Sequence, residues 1–248
     1  MCKSPESHLY LSLPWLGLML GNSRRHWAKL LGQTLLETWD EDNAQPPPAP
    51  KQDLPLIVAS VVGEPSPYLA RFPQVRVLTL ADIPLKGIYS TLGIDRALGV
   101  LGGGTHYGWP ILVIDAGTAL TFTAADADQR LVGGAILPGL GLQGSSLALQ
   151  TAALPRIEFP PHLPPRWATA TPEAIQSGII YTLVAGMHDF IEAWQRQYPQ
   201  GQMVITGGDR NLLLSYFTKQ FQDKSIHPVA DPDLIFRGMA ALKNEPDK

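Results

Sequence analysis

Cysteine is almost absent: of 248 residues only Cys2 carries a thiol. No internal disulfide can form, and a lone thiol near a chain end is a poor candidate nucleophile. Paired metal-ligand spacings are missing as well. His8, His26, His106, His162, His188 and His227 are scattered with no helical pairing and no thiols to assist them, so zinc is not expected. Excess charge of one sign is also lacking. A formal net charge of -3 and a pI near 6.0 leave no broad basic surface for nucleic acid or an anionic membrane. The apolar run from Leu9 to Leu20 is the candidate for a signal or membrane segment. Pro14 and Gly17 interrupt it, and it falls short of the ~20 residues a span needs. It is followed by Gly-Asn-Ser-Arg-Arg-His in place of a small-residue cleavage site. These absences lead to the expectation of a cytoplasmic protein with a small-molecule partner, no nucleic acid and no membrane.

Two familiar catalytic signatures are missing too. Gly102-Gly103-Gly104 follows a helix-like segment and lacks the spaced third glycine of a dinucleotide fingerprint. No Gly-x-Ser-x-Gly elbow occurs, and Gly144-Ser145-Ser146 has no strand before it. The composition, 45% apolar and 17% charged, is that of a globular chain long enough for one large or two small cores.

What is present is a set of glycine-bearing bends at the ends of apolar runs. Val113 to Thr121 carries Asp115 to a strand end, then Gly117, where backbone can approach a ligand, then the Thr118 hydroxyl. Such a strand-turn-strand element suits a phosphate or its metal. Trp15 to Leu20 repeats the pattern, closing on Gly21-Asn22-Ser23 before a second run at His26 to Leu31. Successive amides in such a turn present donors at low steric cost, and a plain hairpin uses the same residues. Two such elements suggest two related lobes facing one nucleotide.

Between them, Gln45 to Pro50 reads as a stiff proline loop, and Leu54 to Val62 and Val75 to Leu80 read as strands. A short helix from Asp95 is expected to stop at Gly102-Gly103-Gly104, with a domain boundary near residue 105. The second half repeats strands at Ile111 to Ile114, Ala119 to Ala124 and Leu131 to Leu137, then a helix over Leu142 to Ala153. A stiff connection over Phe159 to Pro165 follows. Thr171-Pro172-Glu173 reads as a capped helix start. The helix after it shows Ile175, Ile179, Ile180, Leu183, Val184, Met187, Phe190 and Ile191 on one apolar face. Met203-Val204-Ile205 is a strand closing on Thr206-Gly207-Gly208-Asp209, and Asp231-Pro232 opens a last helix.

Taken in order, Gly21-Asn22-Ser23, Gly93-Ile94-Asp95-Arg96, Asp115-Ala116-Gly117-Thr118-Ala119, Gly133 to Gly139 and Thr206-Gly207-Gly208-Asp209 resemble the type III pantothenate kinases. These are members of the actin-like superfamily of acetate and sugar kinases. The resemblance runs from Trp15 to Leu242. It implies an α/β fold of two actin-like (ribonuclease H-like) lobes with a nucleotide cleft between them, residues 1–105 and 106–248. It also implies ATP-dependent phosphorylation of pantothenate to 4'-phosphopantothenate, the first step of coenzyme A biosynthesis. Mg2+, a monovalent cation (K+ or NH4+) and a homodimer belong to the same implication, the apolar helix from Pro172 being a candidate interface.

Site roles follow from the resemblance position by position. Asp95 looks like the catalytic base, with Gly93, Ile94, Asp95 and Arg96 lining the pantothenate site. By residue type alone Asp95 also fits a helix cap and Arg96 a surface ion pair. Tyr89 would close the same pocket, or serve as a core tyrosine. Thr171 resembles a pantothenate-contacting threonine and is equally a helix cap. Gly21, Asn22, Ser23 and Arg24 match the turn around the β- and γ-phosphates. Thr118 matches a phosphate contact, Gly207 and Gly208 the adenosine side, and Asp115 the monovalent-cation ligand. The sequence departs from the pattern at Met19, where the family has a carboxylate. A thioether is a poor ligand for Mg2+, which would then rest on ATP oxygens, water and other groups, or activity would be weak or absent. The alternatives are a non-catalytic regulatory or binding protein that keeps the kinase fold, and a kinase for another small alcohol.

Overall fold

The computed structural model describes residues 13–43, 54–63, 67–221 and 227–243. Cys2, His8, the start of the Leu9 to Leu20 run and the Gln45 to Pro50 loop lie outside them. Unit 1 comprises the described residues within Met1–Gly108, Gln129–Leu131 and Asp233–Lys248, and unit 2 those within Trp109–Asp128 and Val132–Pro232. The chain therefore returns to its first unit at the end, where the sequence had placed the last helix with the second lobe.

Unit 1 is built on a sheet of five strands: β1 (Pro14–Leu20), β2 (Arg24–Leu31), β3 (Thr34–Asp42), β4 (Leu56–Ser60) and β5 (Val75–Val77), in the order β3-β2-β1-β4-β5. β1, β2 and β3 are antiparallel neighbours, and β4 and β5 run parallel to β1. Strand alternation splits β1 into two faces. Leu18, with Leu16 and Leu20, packs among Trp27, Leu56, Val58, Leu69 and Phe72. Gly17 points the other way, and a Cβ there would meet Phe236 Cδ1 at 3.1 Å and Met239 Sδ at 3.2 Å. Those two side chains belong to the last helix, which is why it returns to this unit. β5 is shorter than expected because a 3-10 turn, Leu80–Asp82, takes over just after it.

Helix α1 (Ile94–Tyr107) corrects the sequence reading. It runs through Gly102-Gly103-Gly104 and ends at Gly108, whose φ is +101° and whose N–H donates to the Gly104 carbonyl at 3.0 Å. The glycines are there for packing against the last helix, not for termination.

Unit 2 carries β6 (Ile111–Ala116), β7 (Ala119–Ala125), β8 (Leu131–Pro138), β9 (Gln202–Thr206) and β10 (Val229–Ala230), in the order β10-β9-β6-β7-β8. This is the order of the first sheet again, with β6 in the place of β1. β6 and β7 are antiparallel, and β9 and β10 extend the sheet in parallel. Its helices are α2 (Leu140–Gln150), α3 (Thr171–Gln197) and α4 (Arg210–Gln220); α5 (Leu234–Leu242) is the returning helix of unit 1.

Helix α3 buries Ile175, Ile179, Ile180, Leu183, Val184, Met187 and Ile191 against Leu112, Ile114, Phe122 and Tyr216. Three readings change here. The apolar face considered as a dimer interface is occupied by its own unit's core. Phe190 is 41% exposed, and Trp194, 5% exposed, continues the buried stripe instead. Thr171 is not the cap: Ala170 holds that position in extended conformation, Thr171 is the first helical residue, and no side chain caps the helix. Pro172 is tolerated because a first-turn N–H needs no helical partner. Among the described residues no helix is long and apolar enough to cross a membrane.

Candidate active site

In unit 2, three backbone turns pack together, two of them against one carboxylate. β6 ends in Asp115 and Ala116, and Gly117-Thr118 link it to β7, with the Gly117 N–H donating to Ala119 O at 3.1 Å. The turn between β8 and α2 comes next to it: the Gly139 N–H donates to Thr118 O at 2.9 Å. A Cβ on Gly139 would lie 2.2 Å from the Gly117 carbonyl oxygen. The third turn joins β9 to α4. There the Asp209 N–H donates to Ala116 O at 2.9 Å, and Arg210 Nη1 donates to Gly207 O at 2.8 Å. Gly207 has φ +88°, and a Cβ on it would stand 2.5 Å from both Ala116 O and Asp115 Oδ1. The same Asp115 oxygen would be 3.5 Å from a Cβ on Gly117.

The Asp115 carboxylate thus sits against two glycine turns, as a group placed to hold a cation beside bound phosphate would. Two of the turns lead directly into α2 and α4, whose first-turn amides and dipoles favour an anion. Gly139 and Asp209 are parts of this arrangement that the sequence reading did not single out as site residues. Gly139 could have been found as the last glycine of the Gly133 to Gly139 signal. Asp209 is half-buried, and burial pushes its carboxyl above the ordinary value. The neighbouring Tyr216 hydroxyl, which donates to Pro160 O, is pushed up to about 12 by burial and then by the Asp209 charge.

Gly207→Ala is expected to weaken ATP binding by about tenfold or more, because left-handed backbone strain and a clash with Ala116 and Asp115 fall at the same point. Calorimetric titration checks this, and affinity equal to wild type would remove Gly207 from the site.

In unit 1 the Gly21-Asn22-Ser23 turn closes the β1–β2 hairpin. Leu20 pairs with Arg25, and the Gly21 N–H donates to Arg24 O at 3.0 Å. Asn43, at the far end of β3, braces it by donating from Nδ2 to Gly21 O at 2.9 Å and Asn22 O at 3.2 Å. Nothing in the local motif announces that brace, since it comes from just past β3, one hairpin further along the chain. Arg24 is exposed, with Nη1 3.8 Å from Asp40 Oδ2. Met19 is 2% exposed.

The start of α1 gathers a second group. Gly93 is its N-cap, and the Asp95 carboxylate folds back so that Oδ1 accepts the Arg96 N–H at 2.8 Å. A Cβ on Gly93 would lie 2.3 Å from that oxygen, so this side-chain position requires glycine there. Burial raises the Asp95 carboxyl above its ordinary value, opposed by the Arg96 amide and the Arg96 charge. Arg96 is buried and donates from Nη1 to the Tyr89 hydroxyl at 3.1 Å. Tyr89 is 42% exposed, so it is not a core tyrosine. The structure thus brings Tyr89, Gly93, Asp95 and Arg96 together, whereas Ile94 turns its side chain into the core and can offer a ligand only backbone. Elsewhere, Thr118 and Thr171 are exposed in unit 2, and a Cβ on Gly208 would meet nothing within 4 Å.

A sequence model of the type III pantothenate kinases matches residues 19–193. The chain belongs to this family. The curated type III pantothenate kinase of a Nostoc species is 47% identical over 270 residues, spanning 96% of this chain and 98% of its own. That of a Synechocystis species is 46% identical over 234 residues, spanning 92% and 90%. Among solved structures, a Baf family protein from Campylobacter jejuni matches with a TM-score of 0.62 at 20% identity, covering 92% of this chain and 96% of its own. The activator of 2-hydroxyisocaproyl-CoA dehydratase from Clostridium difficile, with bound ADPNP, matches at 0.50 and 9% identity, covering 93% and 94%. Both likenesses concern the fold, which is the actin-like α/β fold the resemblance implied.

For a type III pantothenate kinase the donor set matters at Met19. Its β-sheet neighbours are His26 and Ala59, and it contributes no oxygen. Among the described residues no group of three or more His, Cys, Asp or Glu side chains could hold a metal ion. These residues fit a cation that takes most of its ligands from phosphate oxygens and water. Mg2+ commonly binds in this way.

Proposed function

We propose that this type III pantothenate kinase transfers the γ-phosphoryl group of ATP to the primary hydroxyl of pantothenate, giving 4'-phosphopantothenate at the first step of coenzyme A biosynthesis. The observation that carries the reading is Asp95: a half-buried carboxylate, fixed by the Arg96 amide at 2.8 Å, beside a buried guanidinium that a tyrosine hydroxyl contacts. Phosphoryl transfer asks the protein mainly for alignment, charge compensation and a proton acceptor. Asp95 takes the hydroxyl proton. Arg96 offers the planar donor pair that suits the pantothenate carboxylate, with Tyr89 and Thr171 as further contacts.

On the nucleotide side, the Gly21-Asn22-Ser23 turn, Arg24 and Thr118 receive phosphate oxygens, and Gly207-Gly208 let adenosine lie against backbone. Asp115 is the ligand for K+ or NH4+. Mg2+, held by ATP oxygens and water, supplies charge neutralisation when bound. The working protein is a cytoplasmic homodimer.

The test is ADP release with ATP, Mg2+ and K+, coupled to a chromogenic readout, with the product identified by mass. ADP formation is expected to depend on pantothenate and to give 4'-phosphopantothenate. Tight nucleotide binding without product would favour the non-catalytic alternative that Met19 raises. Product only from a different alcohol would move the assignment to another substrate.

A further inference from the structure

We infer that His26, held by Asp40, is a phosphate contact of this site: its Nε2 meets a β- or γ-phosphate oxygen at the Gly21-Asn22-Ser23 turn. The inference rests on the proposed ATP site and adds a residue to it. Directly opposed residues of antiparallel strands share a face of the sheet. His26 lies opposite Met19 on β1 and opposite Asp40 on β3, and Met19 in turn lies beside Ala59 on β4. Ala59, Met19, His26 and Asp40 therefore form one row across the sheet, next to the turn. Met19 and Ala59 are buried and apolar, so the polar chemistry of the row belongs to His26 and Asp40.

The ring is oriented at both ends. His26 Nδ1 is 2.7 Å from Asp40 Oδ1. On the other side, a Cβ built on Gly21 would lie 3.8 Å from Nε2 and 3.9 Å from Cδ2. With Nδ1–H donated to Asp40, Nε2 is the nitrogen presented to the turn. The other Asp40 oxygen lies 3.8 Å from Arg24 Nη1. One carboxylate therefore gathers two cation-forming side chains beside a glycine turn.

Stability does not explain the arrangement. The His26 and Asp40 side chains are 41% and 49% exposed, and exposed pairs add little to folding. A phosphate oxygen gives it a use: Asp40 fixes the ring through Nδ1, and a hydrogen bond between Nε2 and an anionic phosphate oxygen is charge-assisted. This puts a hydrogen-bonding group at a turn where Met19 brings no metal-binding oxygen.

The experiment compares ATP, ADP and AMP affinities of the full chain with Mg2+, by competition against a fluorescent nucleotide. His26→Ala is expected to weaken ATP and ADP by about tenfold and to leave AMP unchanged. His26→Arg should recover most of that loss, and Asp40→Asn should show a smaller loss of the same pattern. An ATP-to-AMP preference in His26→Ala equal to wild type overturns the inference, whether affinities are unchanged or all three fall together, since the latter marks a structural role. A wild-type protein that binds none of the three nucleotides overturns the kinase reading, and this inference with it.

Discussion

Asp95→Asn is expected to lower kcat by about 10²- to 10⁴-fold, the range for loss of a general base, while ATP affinity stays within about twofold of wild type. The substitution keeps shape and removes basicity. An asparagine Oδ1 can still accept the Arg96 N–H that now holds Asp95 at 2.8 Å, so the start of α1 need not move. Stability should change in the opposite direction to activity. Burial raises the folded-state pKa of this carboxyl above its unfolded value. The stability it contributes is therefore complete below the unfolded value, ~3.9, and is lost as pH rises through the folded value.

At neutral pH the ionised group is thus a liability, and the variant should melt at or above the wild-type Tm, the difference closing at pH below ~3.9. The same shift sets the acid limb of wild-type kcat/KM above the ordinary aspartate range of ~3.9, because the base must be ionised to act. A variant that turns over within about threefold of wild type would remove Asp95 from the chemistry.

The legible parts of this chain were those in which a local residue pattern carries the physics. Apolar runs located β1, β6 and β7, and the glycine-hydroxyl bends after β1 and β6 fell where the turns are. The long apolar stripe located α3. What the sequence hid was decided by contacts between distant segments. Asn43 bracing Gly21 is such a case, as is the His26–Asp40 pair, which strand register brings beside the Gly21 turn. Phe190 was misread because one stripe on a 27-residue helix drifts around the axis, and Trp194 takes the buried position. Thr171 was misread because Thr-Pro is the signature of a cap, while the chain enters α3 one residue earlier, through Ala170. Helix α5 itself was legible after Asp231-Pro232, but its return to unit 1 left no local mark, since its partner α1 lies more than a hundred residues before it.

The glycines of α1 were the costliest misreading, and they give the second large prediction: Gly102→Ala should destabilise the protein. In an open helix the same change would stabilise it by about 1 kcal/mol, because alanine is the better helix former. Here a Cβ on Gly102 would stand 2.0 Å from Leu234 O and 2.7 Å from the Gly238 backbone nitrogen. The contact is reciprocal, for a Cβ on Gly238 would stand 2.2 Å from Leu98 O. Backbone cannot rotate aside as a side chain can, so α5 would have to back away along its length.

That displacement would loosen Leu234, Phe236 and Met239, all buried, and with them the cover over Gly17 on β1. Overpacking of this kind costs about 1–3 kcal/mol before lost burial is added, so it outweighs the propensity gain. We expect a net loss of about 2–4 kcal/mol and a Tm lower by roughly 5–10 °C in thermal unfolding followed by circular dichroism. Gly186→Ala in α3 is the matched control: its Cβ would meet nothing within 4 Å, so that variant should be as stable as wild type or more so. If both variants gained stability alike, helix propensity would govern Gly102, and the backbone contact between α1 and α5 could not be as close as described.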